Sequence, residues 1–288
     1  MANIFDLPDF MFTGINRNNL TKLSKIKFLV KGLFLGFIHK KTNNKLFCRL
    51  MNIFYSNNGE INFEKNKYVK TIGANKKIYF PNKRVDRLIV NHERHFLNML
   101  DQYSIDKLQL KDNDFVVDCG ANVGELYFSL LLNTPTLNYV AFEPDPEAFE
   151  CLALNIDNKS KNLFNYGLSS SEGKMKFYLD TFGANSSIEN FGSEEFITIE
   201  TKTLDSFNFK NIKLIKIEAE GHELEVLKGS KNTLKNTEYI TVDYGPEKGK
   251  EGTMTLPEVT NFLFKEGFVI DNASDKRYTC LFKNLKFS

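Results

Sequence analysis

The sequence predicts an α/β fold, with a mostly parallel sheet closed by a C-terminal antiparallel hairpin and preceded by a basic N-terminal extension. Three observations lead there. Strand-like runs at 115–117, 139–142 and 214–217 each stop at a carboxylate (Asp118, Glu143, Glu218), and helix-like segments alternate with them. Two late runs, GFVI and YTCLF, read as strands joined by a short turn. Residues 1–50 carry nine basic side chains against Asp6 and Asp9, although the whole chain has a formal net charge of only +2.

The elements follow in chain order. Strand 114–119 leads into helix 123–133, strand 138–142 into helix 146–157, and a further strand lies near 163–165, making a βαβαβ half. Met175–Leu179 and Phe196–Lys202 are strand-like, and the small, polar stretch 182–192 between them reads as a functional loop. Strand 214–218, helix 222–234, strand 239–243 and helix 256–265 complete the alternation before the hairpin. Residues 1–75 read as a basic, partly helical extension and 76–288 as the catalytic domain.

The run DFVVDCGANVGELYF, Asp114–Phe128, carries most of the chemistry. Gly120-Ala121-Asn122-Val123-Gly124 supplies backbone with little side-chain bulk, and the helix opening at Glu125 places amide donors beside whatever binds there. The turn lacks the full G-x-G-x-x-G of a dinucleotide grip. Asp118 instead suits a cationic group, such as the amino or sulfonium group of S-adenosylmethionine. Glu143 follows at the distance where an acidic side chain meets ribose hydroxyls, with Pro144 and Asp145 turning the chain over the adenosine. A nicotinamide enzyme uses the same device, so Glu143 points to adenosine more than to a methyl donor.

A third signature, KLIKIEAEGHE, spans 213–223. In order and spacing, VVDCGANVGE, AFEPDPEAFECLALNI, TLDSF and IKIEAEGHELEVLKG resemble the FkbM family of S-adenosylmethionine-dependent methyltransferases. The family usually has aspartate, a small or branched residue, then Glu-Gly, where this chain has Glu218-Ala219-Glu220-Gly221. The resemblance implies a Rossmann-like class I methyltransferase that methylates a hydroxyl oxygen, most often of a sugar in a surface polysaccharide or glycolipid. It implies a cofactor set of Asp118, Gly120, Ala121, Asn122, Gly124, Glu125, Glu143, Pro144, Asp145 and Ser187. It makes Glu218, Glu220, His222 and Lys216 the catalytic candidates and sets Asn185 and Ser186 beside cofactor or acceptor, while Asp243 and Tyr244, at the end of the strand 239–243, are placed to line the acceptor pocket. Two other readings stand beside it: another small-molecule or lipid acceptor, and a non-catalytic methyltransferase-like binding module.

Lys216 is unusual inside a parallel strand and calls for a carboxylate partner such as Glu218 or Asp243. A divalent metal finds no dedicated motif, because NHERH (91–95) is not H-E-x-x-H and Glu218, Glu220 and Asp243 would hold magnesium only if they converge. The four cysteines show neither metal spacing nor disulfide density, which fits a reducing cytoplasm. Nucleic acid is not an expected partner at this net charge. The apolar run 26–38 is interrupted by lysines and too short to span a bilayer, and nothing reads as a cleavable signal peptide. Residues 20–54 are therefore expected to pack on the domain, join a homo-oligomer, or lie on the inner face of an anionic membrane.

Overall fold

The structure is a computed structural model that describes residues 7, 9–12, 15–16, 19–55, 59–73, 76–156, 162–179 and 186–287. The chain divides into two compact units, Met1–Phe96 and Leu97–Ser288.

In the first unit, helix α1 (Lys22–Lys41) starts at Thr21, whose hydroxyl oxygen accepts the Ser24 N–H at 3.2 Å. Helix α2 (Asn44–Tyr55) follows, then an antiparallel sheet of β1 (Ile61–Glu64), β2 (Lys67–Ile72) and β3 (Lys76–Phe80). Asn52 ties α2 to β1, donating to the Ile61 carbonyl at 2.8 Å and accepting the Ile61 N–H at 2.9 Å. Phe47, Met51, Ile61, Ile78 and Phe80 are buried. The extension expected to end at residue 75 thus contains a sheet, and the break falls later because β3 completes that sheet by pairing with β2. Among the described residues, no helix is long and apolar enough to cross a membrane.

The division falls within α3 (His92–Gln102). The second unit then runs through β4 (Phe115–Cys119), α4 (Glu125–Leu130), β5 (Asn138–Phe142), α5 (Pro146–Asn155) and β6 (Leu163–Phe164). A small side sheet comprises β7 (Gly167–Leu168), β8 (Gly173–Tyr178) and β9 (Phe196–Lys202). After it come β10 (Ile212–Ile217), α6 (Glu223–Lys228), α7 (Lys231–Leu234) and β11 (Thr237–Asp243). The short ribbon β12 (Pro246–Lys248) and β13 (Thr253–Met254), helix α8 (Leu256–Lys265), and the hairpin β14 (Phe268–Ala273) and β15 (Thr279–Asn284) finish the unit.

Seven strands form the main sheet in the order β14-β15-β11-β10-β4-β5-β6, with β15 alone antiparallel to the rest. From β4 the chain steps outward to β6, then returns to the other side of β4 for β10 and β11. The order reverses between β4 and β10, and the crevice beyond their carboxyl ends is where open α/β sheets bind ligands. Alternation sorts the side chains: Val117, Cys119, Ile215 and Ile217 pack on one face, Val116, Ala141 and Leu214 on the other.

The single helix expected over 222–234 is two short ones. At the break, a Cβ on Gly229 would lie 2.0 Å from the Ser169 carbonyl oxygen, so the helix and the β7 end meet at van der Waals limit only with glycine there. We predict that Gly229→Ala lowers unfolding stability by at least about 1 kcal/mol in urea titration. Unchanged stability would show that the backbone yields without cost.

Candidate functional site

Charged groups gather at the switch point. Asp118 on β4 and Lys216 on β10 are register partners, and both point to the Val116 and Leu214 face. Lys216 Nζ lies 3.1 Å from Asp118 Oδ1 and 3.0 Å from Glu218 Oε2, and donates to the Gly120 carbonyl at 2.7 Å. Asp118 is 0 % exposed and Lys216 3 %. The Tyr139 hydroxyl donates to Asp118 Oδ2.

Glu218 stands just past β10, where it accepts the Tyr103 hydroxyl at 2.6 Å and Arg277 Nη2. Arg277 Nε donates to Asp243 Oδ2 at 2.6 Å, so one guanidinium bridges the ends of β10 and β11. The antiparallel pairing of Asp243 with Thr279 delivers Arg277 to that place. Both cations lie near the Tyr103 ring, Arg277 at 5.1 Å and Lys216 at 5.6 Å from its centroid. Burial by itself would push the Glu218 carboxyl up, but Lys216 and Arg277, helped by Tyr103, hold it below the usual carboxylate range. Burial likewise opposes charge on Lys216, and Asp118 and Glu218 outweigh it.

The glycine turn is shaped by the protein itself. Gly120 has φ +79°, and a Cβ there would lie 1.9 Å from the Glu218 carbonyl oxygen; a Cβ on Gly124 would meet Leu152 at 2.8 Å. These glycines make room for the end of β10 and for α5. The N–H groups of Gly120 and Ala121 both donate to the Phe142 carbonyl, at 2.9 and 3.0 Å. The Gly120 and Ala121 amides therefore turn into the fold, toward the end of β5. Lys216 and Tyr139 both meet the buried Asp118 carboxylate.

Glu143 stands just past the end of β5. Its oxygens accept the N–H groups of Asn122 at 2.7 Å and Asp145 at 2.8 Å. A carboxylate offers about four acceptor positions, so two remain for the hydroxyls of a vicinal diol, and these acceptors fit the ribose of S-adenosylmethionine. Burial pushes this carboxyl up to about 8. Asn165 donates to the Glu143 carbonyl at 2.7 Å and the Pro144 carbonyl at 3.1 Å, fixing the strand end. Asp145 caps α5 by accepting the N–H groups of Glu147 and Ala148, so its side chain serves the helix. Glu125 is buried in the first turn of α4.

The sequence profile of the methyltransferase FkbM domain matches residues 118–270, more than half of the chain. This chain belongs to the FkbM methyltransferase family. Hexuronic acid methyltransferase AglP of Haloferax volcanii is 32% identical to it over 175 residues, covering 56% of this chain and 72% of that protein. The 2-O-methyltransferase NoeI of Sinorhizobium fredii is 27% identical over 175 residues, covering 53% and 72%. A crystal structure of methyltransferase FkbM from Methylobacillus flagellatus aligns with TM-score 0.45 at 18% identity. That alignment covers 67% of this chain and 55% of the other, so the chain spans about half the length of that structure.

Within the FkbM domain, Glu220 differs from its neighbours. Its backbone is left-handed, φ +49°, and is gripped on both sides. Glu223 accepts the N–H groups of Ala219 at 3.1 Å and Gly221 at 2.9 Å, while the Ser187 hydroxyl donates to the Glu220 carbonyl at 2.7 Å. The Glu220 carboxyl itself makes no hydrogen bond among the described residues. Burial pushes it up to about 9, with Glu218, Glu247 and Asp243 adding to the rise and Arg277 opposing it. Glu247, with a buried Oε2 that has no hydrogen-bond partner among the described residues, is pushed up to about 8 mainly by burial.

Three more of the expected site residues have protein partners. His222 has Nδ1 2.8 Å from Glu189 Oε1 and Nε2 3.0 Å from Ser169 Oγ, so both ring nitrogens have protein partners. It pins the Glu189 segment to the end of β7. Ser187 holds the Glu220 backbone, and Tyr244 packs in the core with its hydroxyl 3.5 Å from Cys280 Sγ. Asn185 lies outside the described residues. Glu218 and Asp243 converge on Arg277, and among the described residues no three His, Cys, Asp or Glu side chains are set to hold one metal ion.

Sequence reasoning missed Tyr103, Tyr139, Glu247 and Arg277 as members of the site. Arg277 left one signal: in a lysine-rich chain it is the single arginine after Arg94.

Removing one partner of a buried ion pair strands the other charge, so Lys216→Met should cost about 3–5 kcal/mol in urea unfolding. A loss below about 1 kcal/mol would mean that Asp118 and Glu218 find other partners. The raised carboxyls set a pH dependence of the opposite kind to that of Glu218. Glu143, Glu220 and Glu247 bind protons in the folded chain where unfolded glutamate, titrating near about 4.3, does not. Their contribution is complete below that value and is lost as pH rises through about 8 to 9. We expect the thermal midpoint to fall from pH 6 toward pH 9, and Glu247→Gln to flatten the fall; an identical slope in that variant would exclude Glu247 as a source.

Proposed function

We propose that this chain transfers the methyl group of S-adenosylmethionine to a hydroxyl oxygen of a sugar, in a surface polysaccharide or glycolipid, with Glu220 as general base. The observation that carries the reading is the pair of carboxyls at the crevice with opposite proton affinities. Glu218 is held ionised by Lys216 and Arg277, while Glu220, one turn of chain away, keeps its proton near neutrality and has no protein partner for its carboxyl among the described residues. The names of the relatives, a hexuronic acid methyltransferase and a 2-O-methyltransferase, favour a sugar hydroxyl as acceptor.

Bound S-adenosylmethionine supplies an electrophilic methyl group on a sulfonium. Glu143 takes the ribose diol and so fixes the donor relative to β5. Glu218, immobile in its ion pairs, accepts a hydrogen bond from the sugar and orients it. The attacking hydroxyl gives its proton to the ionised Glu220 carboxylate as the new C–O bond forms and the C–S bond breaks, the electron pair remaining on sulfur. Lys216 and Asp118 act one step back, as positioning residues that keep Glu218 charged. A base with a raised pKa works only in its deprotonated form, so turnover rises with pH toward about 9.

Labelled methyl donor incubated with uronic-acid-containing glycans, with and without chelator, tests this directly. Glu143→Ala should weaken S-adenosylmethionine binding by at least about 1 kcal/mol in calorimetry. Glu220→Gln should bind the donor as before, lose about 100-fold in kcat and lose the alkaline rise. Equal turnover in Glu220→Gln removes it from the mechanism, and no labelled glycan with any uronic acid or neutral sugar acceptor sinks the sugar assignment.

A further inference from the structure

Helix α1 is apolar on two faces, and only one is covered. Leu35 and Ile38 are buried, whereas Leu23, Ile26, Val30, Leu33 and Phe37 are 57–65 % exposed. The exposed five recur at alternating steps of three and four residues, so they fall in one stripe about 100° wide along the whole helix. The stripe continues onto α2. Phe34 meets Phe54 with ring centroids 5.5 Å apart, and Leu46 and Ile53 stand 55 % and 72 % exposed beyond.

Charge decides what covers this face. Residues 19–55 hold seven lysines and Arg49 and not one aspartate or glutamate. Helical spacing puts Lys22 and Lys40 along one border of the stripe and Lys27 along the other, all exposed. Lys31 turns toward α2, its Nζ 3.8 Å from the centroid of the Tyr55 ring. A second copy of the chain docked face to face would oppose these cations with identical cations and supply no counter-charge. An anionic lipid surface supplies both partners: acyl chains for the stripe and headgroup phosphates for its lysine borders. Lysines on both sides also keep the helix in the interface plane, since crossing would bury them.

We propose that the α1–α2 pair is a peripheral membrane-docking face, with the Leu23–Phe37 stripe inserted at the level of the headgroups of anionic phospholipid. It stands independently of the catalytic reading, and for a lipid-linked sugar it would bring the enzyme to the layer that carries its acceptor.

The test is flotation of the full chain with vesicles of phosphatidylcholine alone and of phosphatidylcholine mixed with phosphatidylglycerol. Binding to the mixed vesicles should exceed binding to the neutral ones by at least about tenfold and weaken with added salt. Ile26→Asp with Leu33→Asp should reduce it by at least about tenfold, with unchanged far-ultraviolet circular dichroism and unchanged S-adenosylmethionine affinity. Lys27→Glu with Lys40→Glu should remove most of the preference for phosphatidylglycerol. Failure to float with the mixed vesicles, or equal flotation with both kinds, overturns the proposal. It also fails if light scattering finds a dimer that the aspartate variant splits while neither form binds vesicles, because the face then joins two copies. Donor binding by calorimetry reads the catalytic site separately, so the two readings can fail apart.

Discussion

A lysine inside a parallel strand is costly to bury, and the architecture of the crevice follows from how that cost is met. Lys216 is placed by register beside Asp118 and by sequence two residues before Glu218, and it is ionised only because both carboxylates surround it. The third contact, to the Gly120 carbonyl, joins the turn after β4 to the end of β10. Gly120 must be glycine for that approach, since the Glu218 carbonyl occupies the place of its Cβ. One ammonium group thereby sets the geometry of two strand ends.

The same network sorts the carboxyls by chemistry. Cations reach Glu218 and hold its proton off, while burial and the negative charge of its neighbours keep the proton on Glu220. Environments that push two nearby acids apart in proton affinity are how acid and base roles become distinct in one site. The strained backbone at Glu220 belongs to this arrangement, because Glu223 and Ser187 clamp the chain on either side of it. Arg277 extends the ion network to β11, so the hairpin at the C-terminal end of the unit takes part in the site.

Much of this was legible in the chain. Apolar runs ending in carboxylates located β4, β5 and β10, and the carboxylate partner demanded by Lys216 was expected at Glu218 or Asp243, because an unpaired buried ammonium is costly. Glu218 is one partner, but the other is Asp118, and Asp243 pairs with Arg277. Glu143 could be placed by its distance from the turn. Tyr103 and Arg277 could not, since they reach Glu218 from 115 and 59 residues away and no local pattern encodes such a meeting. For a related reason no local pattern shows which protein partners hold the polar groups of the crevice: Lys216 and Tyr139 for Asp118, the Phe142 carbonyl for the turn amides, Glu189 and Ser169 for His222.

The sequence by itself determined the alternation of strands and helices, the carboxylates at the strand ends and membership of the FkbM methyltransferase family, because periodicity and local motifs act over a few neighbouring residues. Tertiary structure alone decided which acids are ionised and which hold their protons, because proton affinity depends on burial and on charges brought in from distant strands. It also decided that the basic N-terminal region builds a β-sheet alongside its helices, since pairing β1, β2 and β3 needs contacts that no single segment contains.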